Sequence, residues 1–323
     1  MTAEKSIFSL KICIHACKLA KSATQSRNFP MRKTTLLKSL IEAPELLVMP
    51  GAFDPLSARI VEGAGFKAIQ CSGYGISVTR LGLPDYSFLA MSDMVAATKN
   101  IVDAVELPVM ADGDTGFGNA VNAWYAVKAF ERIGCAGVNI EDQVMPKRCG
   151  HLDGKEIVPI DEAVAKIKAC AEARIDPDFV INARTDALAV GGIEEVIRRG
   201  NAYLQAGATM VFVEGMSDKA LAQQAVRGIR GPVAINIVEG GKSPEKFTFA
   251  EMQSMGIARV SLPGTLILAA VQGMRDAIEA VKANGYAGGE GVRLAGFGEV
   301  RSLVRFDEVF ALEERFLSTF KAA

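Results

Sequence analysis

From residue 46 onward the chain alternates, eight times over, between a short apolar run ending in glycine or a polar residue and a stretch with the apolar period of a helix. LLVMPGAFD precedes DPLSARIVEGAG, KAIQCSG precedes SDMVAATKNIVDAV, PVMADGDTG precedes NAWYAVKAFERIG, and GVNIEDQ precedes PIDEAVAKIKACAEA. FVINARTDA, TMVFVEG, PVAINIVEGG and RVSLPGT follow, each with its own helical stretch, the last being LILAAVQGMRDAIEAVKANG. Short apolar runs bounded by turn residues read as buried parallel strands, and parallel neighbours need a crossover between them. Eight βα units over about 240 residues fit an α/β fold of the (β/α)8 TIM-barrel type, whose usual size is ~250 residues. A doubly wound open sheet stops sooner.

This pattern sets the expected boundaries. Residues 31–290 carry the barrel, opened by MRKTTLLKSLIEAPE as an amphipathic helix. After the connector GYAGGEG, residues 291–323 form a helical segment, VRSLVRFDEVFALEERFLSTF, whose apolar face the barrel does not account for. Residues 1–30 differ in composition, with Glu4 against Lys5, Lys11, Lys18, Lys21 and Arg27. They read as a disordered or non-native extension, with an organelle transit peptide as the competing reading. The expected location is cytoplasmic, or mitochondrial if the extension is a transit peptide. No run approaches the ~18 apolar residues of a membrane span.

A formal net charge of -1 gives no reason to expect nucleic acid or a membrane as partner, and points to a small molecule. Six scattered cysteines without a C-x-x-C pair suit reduced thiols.

Polar residues collect at the C-terminal ends of the strands: Ser72 and Gly73, Asp112 and Asp114, Glu141 and Asp142, Arg184 and Asp186, Glu214, and Asn236 and Glu239. In a TIM barrel these ends open onto one face, where such enzymes build their sites. Each residue alone has a bland reading as a turn, cap or ion pair. Asp112 and Asp114, spaced i, i+2, can point the same way. With Glu141 they offer a hard, all-oxygen environment suited to Mg2+ or Mn2+. KRCGH, residues 147–151, places Cys149 and one of only two histidines, His151, beside Lys147 and Arg148.

VMADGDTGFGN, GVNIEDQVMPKRCGHLDGK and DPDFVINARTDA closely resemble the isocitrate lyase and phosphoenolpyruvate mutase superfamily, most of all its short members, the 2-methylisocitrate and 2,3-dimethylmalate lyases. The resemblance runs from about residue 46 to residue 285. It implies a metal-dependent carbon–carbon lyase that cleaves a substituted 2-hydroxy dicarboxylate to pyruvate and a carboxylate such as propionate or succinate. It also implies that Asp112 holds Mg2+ while Asp114, Asp85 and Glu141 act through metal-bound water. Ser72, Gly73 and Arg184 match the residues that hold the 2-oxo-carboxylate part, and Glu214 and Asn236 match further contacts. The final helix of relatives is exchanged between subunits of a tetramer, so a homotetramer is expected.

On this reading Cys149 delivers a proton to C3 as general acid, its thiol drawn toward the working pH by Lys147 and Arg148. His151 binds a carboxylate or orients the loop, Gly150 lets the backbone flex, and Asp85 or Tyr74 serves the 2-hydroxyl proton. NIVEGG and SLPGTLILAA depart from the methylisocitrate lyase pattern and lack its arginine for a third carboxylate, which favours a smaller substituted malate. Oxaloacetate hydrolysis is the close rival, and relatives specialised for it carry serine where Pro263 stands. A phosphonomutase is the further alternative, but family mutases lack C-G-H here.

Overall fold

A computed structural model describes residues 31–148, 150, 154–241, 247–286 and 292–317. Cys149 and His151 of the expected site lie outside the described residues, as does the whole segment 1–30.

Eight strands, β1 (Leu47–Ala52), β2 (Ile69–Cys71), β3 (Val109–Asp112), β4 (Gly137–Glu141), β5 (Val180–Thr185), β6 (Met210–Val213), β7 (Val233–Asn236) and β8 (Arg259–Leu262), close into one barrel. Every neighbouring pair is parallel, including β1 with β8. The expected TIM barrel is therefore the fold. The strands are buried nearly throughout because helices cover their outer face while side chains fill the interior.

The opening helix α1 (Lys33–Glu42) closes the barrel floor. Leu37 and Ile41, fully buried, pack with Leu47, Ala68, Met110, Ala136, Val180 and Met210, residues at or near the strand beginnings. Thr34 and Thr35 donate to Asp176 and Asp178 at 2.7 Å, which fixes the helix across that opening.

Helices α2 (Pro55–Gly63), α4 (Met91–Ala104), α5 (Ala120–Arg132), α6 (Ile160–Ala173), α7 (Leu188–Gln205), α8 (Lys219–Gly228), α9 (Phe249–Met255) and α10 (Thr265–Asn284) follow the eight strands in order. One further helix, α3 (Gly73–Leu81), was not anticipated. Its sequence GYGISVTRL carries two glycines and three β-branched residues, which weaken helix propensity. The ends hold it: Ser72 caps the start by accepting from Gly75 N, and Gly82 closes it at φ 63°.

The C-terminal segment is two helices, α11 (Phe297–Leu303) and α12 (Phe306–Leu317), rather than one continuous stretch. Arg305, at φ 56°, breaks the run. Their apolar side chains, among them Val309, Phe310 and Phe316, are exposed in the single chain.

Candidate active site

Strand pleat and register decide which side chains enter the barrel. Residues two apart share a face, and the register sets Asp112 opposite Asn139, Asn139 opposite Asn182, and Glu141 opposite Arg184. Asn182 Nδ2 donates to Asn139 Oδ1 at 2.7 Å, which places this polar layer inside the barrel. The next inward level holds Asp112, Glu141, Arg184 and Glu214. Arg259 lies deeper, fully buried, with its Nη2 on Gln70 Oε1 and its guanidinium over the Phe212 ring.

Above this layer opens a cavity of about 220 Å3. Ser72, Gly73, Asp112, Arg184, Glu214 and Asn236, from the strand-end pattern, line it together with Tyr74, Asp85, Gly150 and Pro263, which the family resemblance pointed to. Sequence reasoning missed Gln70, Asn139, Phe212, Val238 and Leu268, which complete the floor and one apolar wall. The alternation within strands was the available signal for Gln70, Asn139 and Phe212, each two residues before a predicted site residue.

Arg184 is the cation that lines this cavity among the described residues. Its Nε lies 3.2 Å from Glu141 Oε2 and 3.1 Å from Asp186 Oδ2, and its Nη2 lies 3.2 Å from Glu214 Oε2. Burial disfavours its charge, but Asp186, Glu141 and Glu214 outweigh that and hold it well above the ordinary arginine value. The charge is thus fixed and aimed by three carboxylates, a suitable anchor for a substrate carboxylate.

The acidic side is arranged around Lys147. Its Nζ lies 2.7 Å from Asp85 Oδ1 and 2.8 Å from Asp114 Oδ1, with only 3 % of the side chain exposed. Burial lowers its affinity for a proton, yet Asp114, Asp85, Glu141 and Asp112 reverse this and hold the ammonium well above the usual lysine range. Burial pushes the Asp114 carboxyl up, opposed by Lys147 and reinforced by Asp112 and Asp85, to about 6. Asp112 accepts from Gly73 N at 3.1 Å and from Asp114 N at 3.3 Å. Asp114 sits in the left-handed region at φ 46°, a conformation that aspartate tolerates and that turns this carboxylate toward Lys147.

Lys147, expected beside the thiol, pairs with Asp85 and Asp114. Arg148 borders a separate cavity with Tyr86, Gln143, Gly154 and Glu156 rather than the central one. Asp142, one of the strand-end residues, does not enter the central cavity either. It follows Glu141 directly, so it points to the outer face, where it accepts from Thr185 and Tyr203 at 2.7 Å and from Arg199 at 3.1 Å.

Among the described residues no three His, Cys, Asp or Glu side chains form a closed ligand set. A hard cation held by one or two carboxylates and completed by water and substrate has no need of one, which is how Mg2+ is usually bound. Glu141 Oε1 is buried without a hydrogen-bond partner. Such an acceptor, near Asp114, fits a hard cation held through its water shell. Cys71 and Cys170, by contrast, are buried thiols pushed up to about 12 by burial, unsuited to proton delivery near neutrality.

Gly150 faces the opposite wall. A Cβ there would lie 2.4 Å from Glu214 Cδ and 2.5 Å from Arg184 Nη2, so only glycine lets the main chain approach this closely. Ser72, expected to contact substrate, also serves the fold: its hydroxyl donates to Pro263 O at 3.0 Å and caps α3.

The family model described as phosphoenolpyruvate phosphomutase matches residues 37–282. The chain is 38% identical over 286 residues to 2,3-dimethylmalate lyase of Eubacterium barkeri, covering 88% of this chain and 99% of the relative. It superposes with a TM-score of 0.82 on a structure of oxaloacetate acetylhydrolase in complex with 3,3-difluorooxalacetate, at 32% identity, covering 87% of this chain and 96% of the other. It superposes with a TM-score of 0.80 on a phosphonopyruvate hydrolase complex with oxalate and Mg2+, at 31% identity, covering 89% and 100%. The matched family model spans the whole barrel and the similarity extends along nearly the full length of these proteins, so the chain belongs to the phosphoenolpyruvate phosphomutase family, a family of enzymes within the isocitrate lyase and phosphoenolpyruvate mutase superfamily.

Proposed function

We propose that this chain is a Mg2+-dependent carbon–carbon lyase that cleaves the C2–C3 bond of a substituted 2-hydroxy dicarboxylate, giving a 2-oxo acid such as pyruvate and a second carboxylate. The observation that carries the reading is the asymmetry of the central cavity. Its floor and one side present Arg184 and the acidic group of Asp112 and Asp85, while Phe212, Val238, Pro263 and Leu268 make an apolar wall. A tricarboxylate would need a further cation beyond Arg184, the one cation lining this cavity among the described residues, whereas a malate with alkyl substituents matches this lining.

Bound Mg2+, held by Asp112 and through water by Asp114, Glu141 and Asp85, would neutralise charge on the oxygen at C2 and on the adjacent carboxylate. The chain's own residues do the rest. Arg184 holds a substrate carboxylate, and the start of α3 with Tyr74 faces the same end. The 2-hydroxyl gives up its proton, a role open to Tyr74 or a water on Asp85, as the C2–C3 bond breaks and its electron pair moves to C3. C3 then takes a proton from Cys149, the chain neighbour of Gly150. The similarity to 2,3-dimethylmalate lyase supports this order of substrates. The exposed apolar faces of α11 and α12 support the homotetramer.

The test follows pyruvate release by purified enzyme with Mg2+ from alkyl-substituted malates, 2-methylisocitrate and phosphonopyruvate, and release of oxalate and acetate from oxaloacetate. Highest kcat/KM on a substituted malate is expected. Cys149→Ser should lower it ~10²- to 10⁴-fold while oxalate still binds. Turnover confined to oxaloacetate would install hydrolysis, the reading favoured by the superposition on oxaloacetate acetylhydrolase.

A further inference from the structure

Lys155 stands outside every role assigned so far. Its side chain is only 3 % exposed, and its Nζ bridges two acceptors, Gly150 O at 2.5 Å and Asp186 Oδ1 at 2.8 Å. Asp186 is itself fully buried and belongs to the substrate anchor: its Oδ2 accepts from Arg184 Nε at 3.1 Å. Its backbone N–H donates to Asp142 Oδ1 at 2.9 Å, and Asp142 is locked on its far side by Thr185, Tyr203 and Arg199. A rigid frame therefore ends in one ammonium, and that ammonium ends on the carbonyl of Gly150.

The opposite face of Gly150 shows why this matters. The residue is pressed against Arg184 and Glu214 closely enough to leave no room for a Cβ. Arg184 Nη2 and Glu214 Oε2 form an ion pair at 3.2 Å, and the Gly150 carbonyl is held against that pair from the other side by Lys155. Arg199 Nη2 donates to Val158 O at 2.8 Å, and Val158 N donates to Asp142 O at 2.9 Å. The same frame thus also fixes the chain just beyond Lys155.

We propose that Lys155 is a positioning residue: through its bridge to Asp186 it holds the Gly150 backbone against the Arg184–Glu214 pair. It touches no substrate. The inference rests on the lyase reading only in the rate that is measured; the hold on Gly150 is independent of which substrate is turned over. Lys155→Met keeps the length of the aliphatic stem and removes the ammonium, leaving Asp186 with its bond to Arg184.

The experiment compares wild type, Lys155→Met and Lys155→Arg in three measurements made with Mg2+ present: kcat and KM on the best substrate, oxalate affinity by calorimetry, and amide hydrogen exchange of the peptide containing Gly150. A misplacement of about 1 Å costs on the order of 10²-fold in rate. The methionine variant should lose about that much kcat, keep oxalate affinity within about threefold, and exchange faster at Gly150, as expected when a local hold is lost. The arginine variant, which keeps a cationic donor, should recover part of both the rate and the protection. Wild-type exchange at Gly150 in the methionine variant overturns the proposal. So does an oxalate affinity that falls in step with kcat, which would make Lys155 a support of Arg184 instead. If wild type cleaves none of the substrates, the lyase reading fails, while the exchange and oxalate arms still decide the role of Lys155.

Discussion

Replacing Lys147 with methionine should cost stability in a way that depends on pH. The ammonium is almost entirely buried and stands between two carboxylates, Asp85 at 2.7 Å and Asp114 at 2.8 Å, whose side chains are 12 % and 7 % exposed. Removing one partner from a buried ion pair costs ~3–5 kcal/mol, because the remaining charge loses its compensation without regaining water. With an unfolding entropy near ~2 cal/mol/K per residue, a unit of this size should melt roughly 5–8 °C lower at pH 7.5. Burial raises the Asp114 carboxyl from 3.8 to about 6 against the pull of Lys147. A carboxyl whose value is higher folded than unfolded favours folding fully below the unfolded value, and that contribution is lost as pH rises through the folded one. Without Lys147 the folded value climbs further, so the penalty should be largest above pH 6 and shrink toward pH 4.5, where Asp114 is protonated in the folded state. Calorimetric melting in chelator, which leaves only the chain's own charges, reads both quantities. Equal melting of variant and wild type at pH 7.5, or a penalty unchanged between pH 7.5 and pH 4.5, refutes the account.

Exhaustive chelation, or Asp112→Asn, should abolish turnover while leaving the melting temperature in chelator within a few degrees of wild type; full turnover after chelation counts against a metal at Asp112. Gly73→Ala would place a Cβ 2.5 Å from Asp112 Oδ2 and displace that carboxylate, so Mg2+-dependent oxalate binding, followed by calorimetry, should weaken at least tenfold. Unaltered binding would show that Asp112 can relax freely. Tyr203→Phe removes a 2.7 Å hydrogen bond to Asp142, a bond to a charged group of the ~1.5–3 kcal/mol kind. Because Thr185 and Arg199 remain on Asp142, the lower end is expected in chemical denaturation, and no loss at all would show that Tyr203 contributes nothing.

The strands and the lining of the site were legible for one shared reason. A strand buried on both faces must be apolar along most of its length, so a polar residue at its C-terminal end is conspicuous, and the barrel brings every such end to one mouth. Ser72, Asp112, Arg184, Glu214 and Asn236 were found this way. Helix α3 was not, because its stability resides in the two caps and in buried Ile76 and Ser77 rather than in the propensity of GYGISVTRL. Gln70 and Asn139 share the alternation of Ser72 and Glu141, but neither the break at Arg305 nor the positions of Asn182 and Arg259 are written locally in the sequence, since these two side chains meet Asn139 and Gln70 on other strands.

Charge pairing was the least legible link. Lys147 and Arg148 are adjacent in the chain and look like one basic patch, but the chain turns between the strand end and Gly150 and sends them to different places. Lys147 sinks among carboxylates from the segments around Asp85 and Asp114, while Arg148 stays beside Tyr86, its guanidinium 5.8 Å from that ring. A sequence shows how many charges are near one another along the chain; desolvation decides which of them must find a partner through space. The residue that most needed a partner was the more buried one. That is why Lys147 helps hold the acidic side of the cavity together, and why Lys155, eight residues further on, can occupy the corresponding place on the side of Arg184.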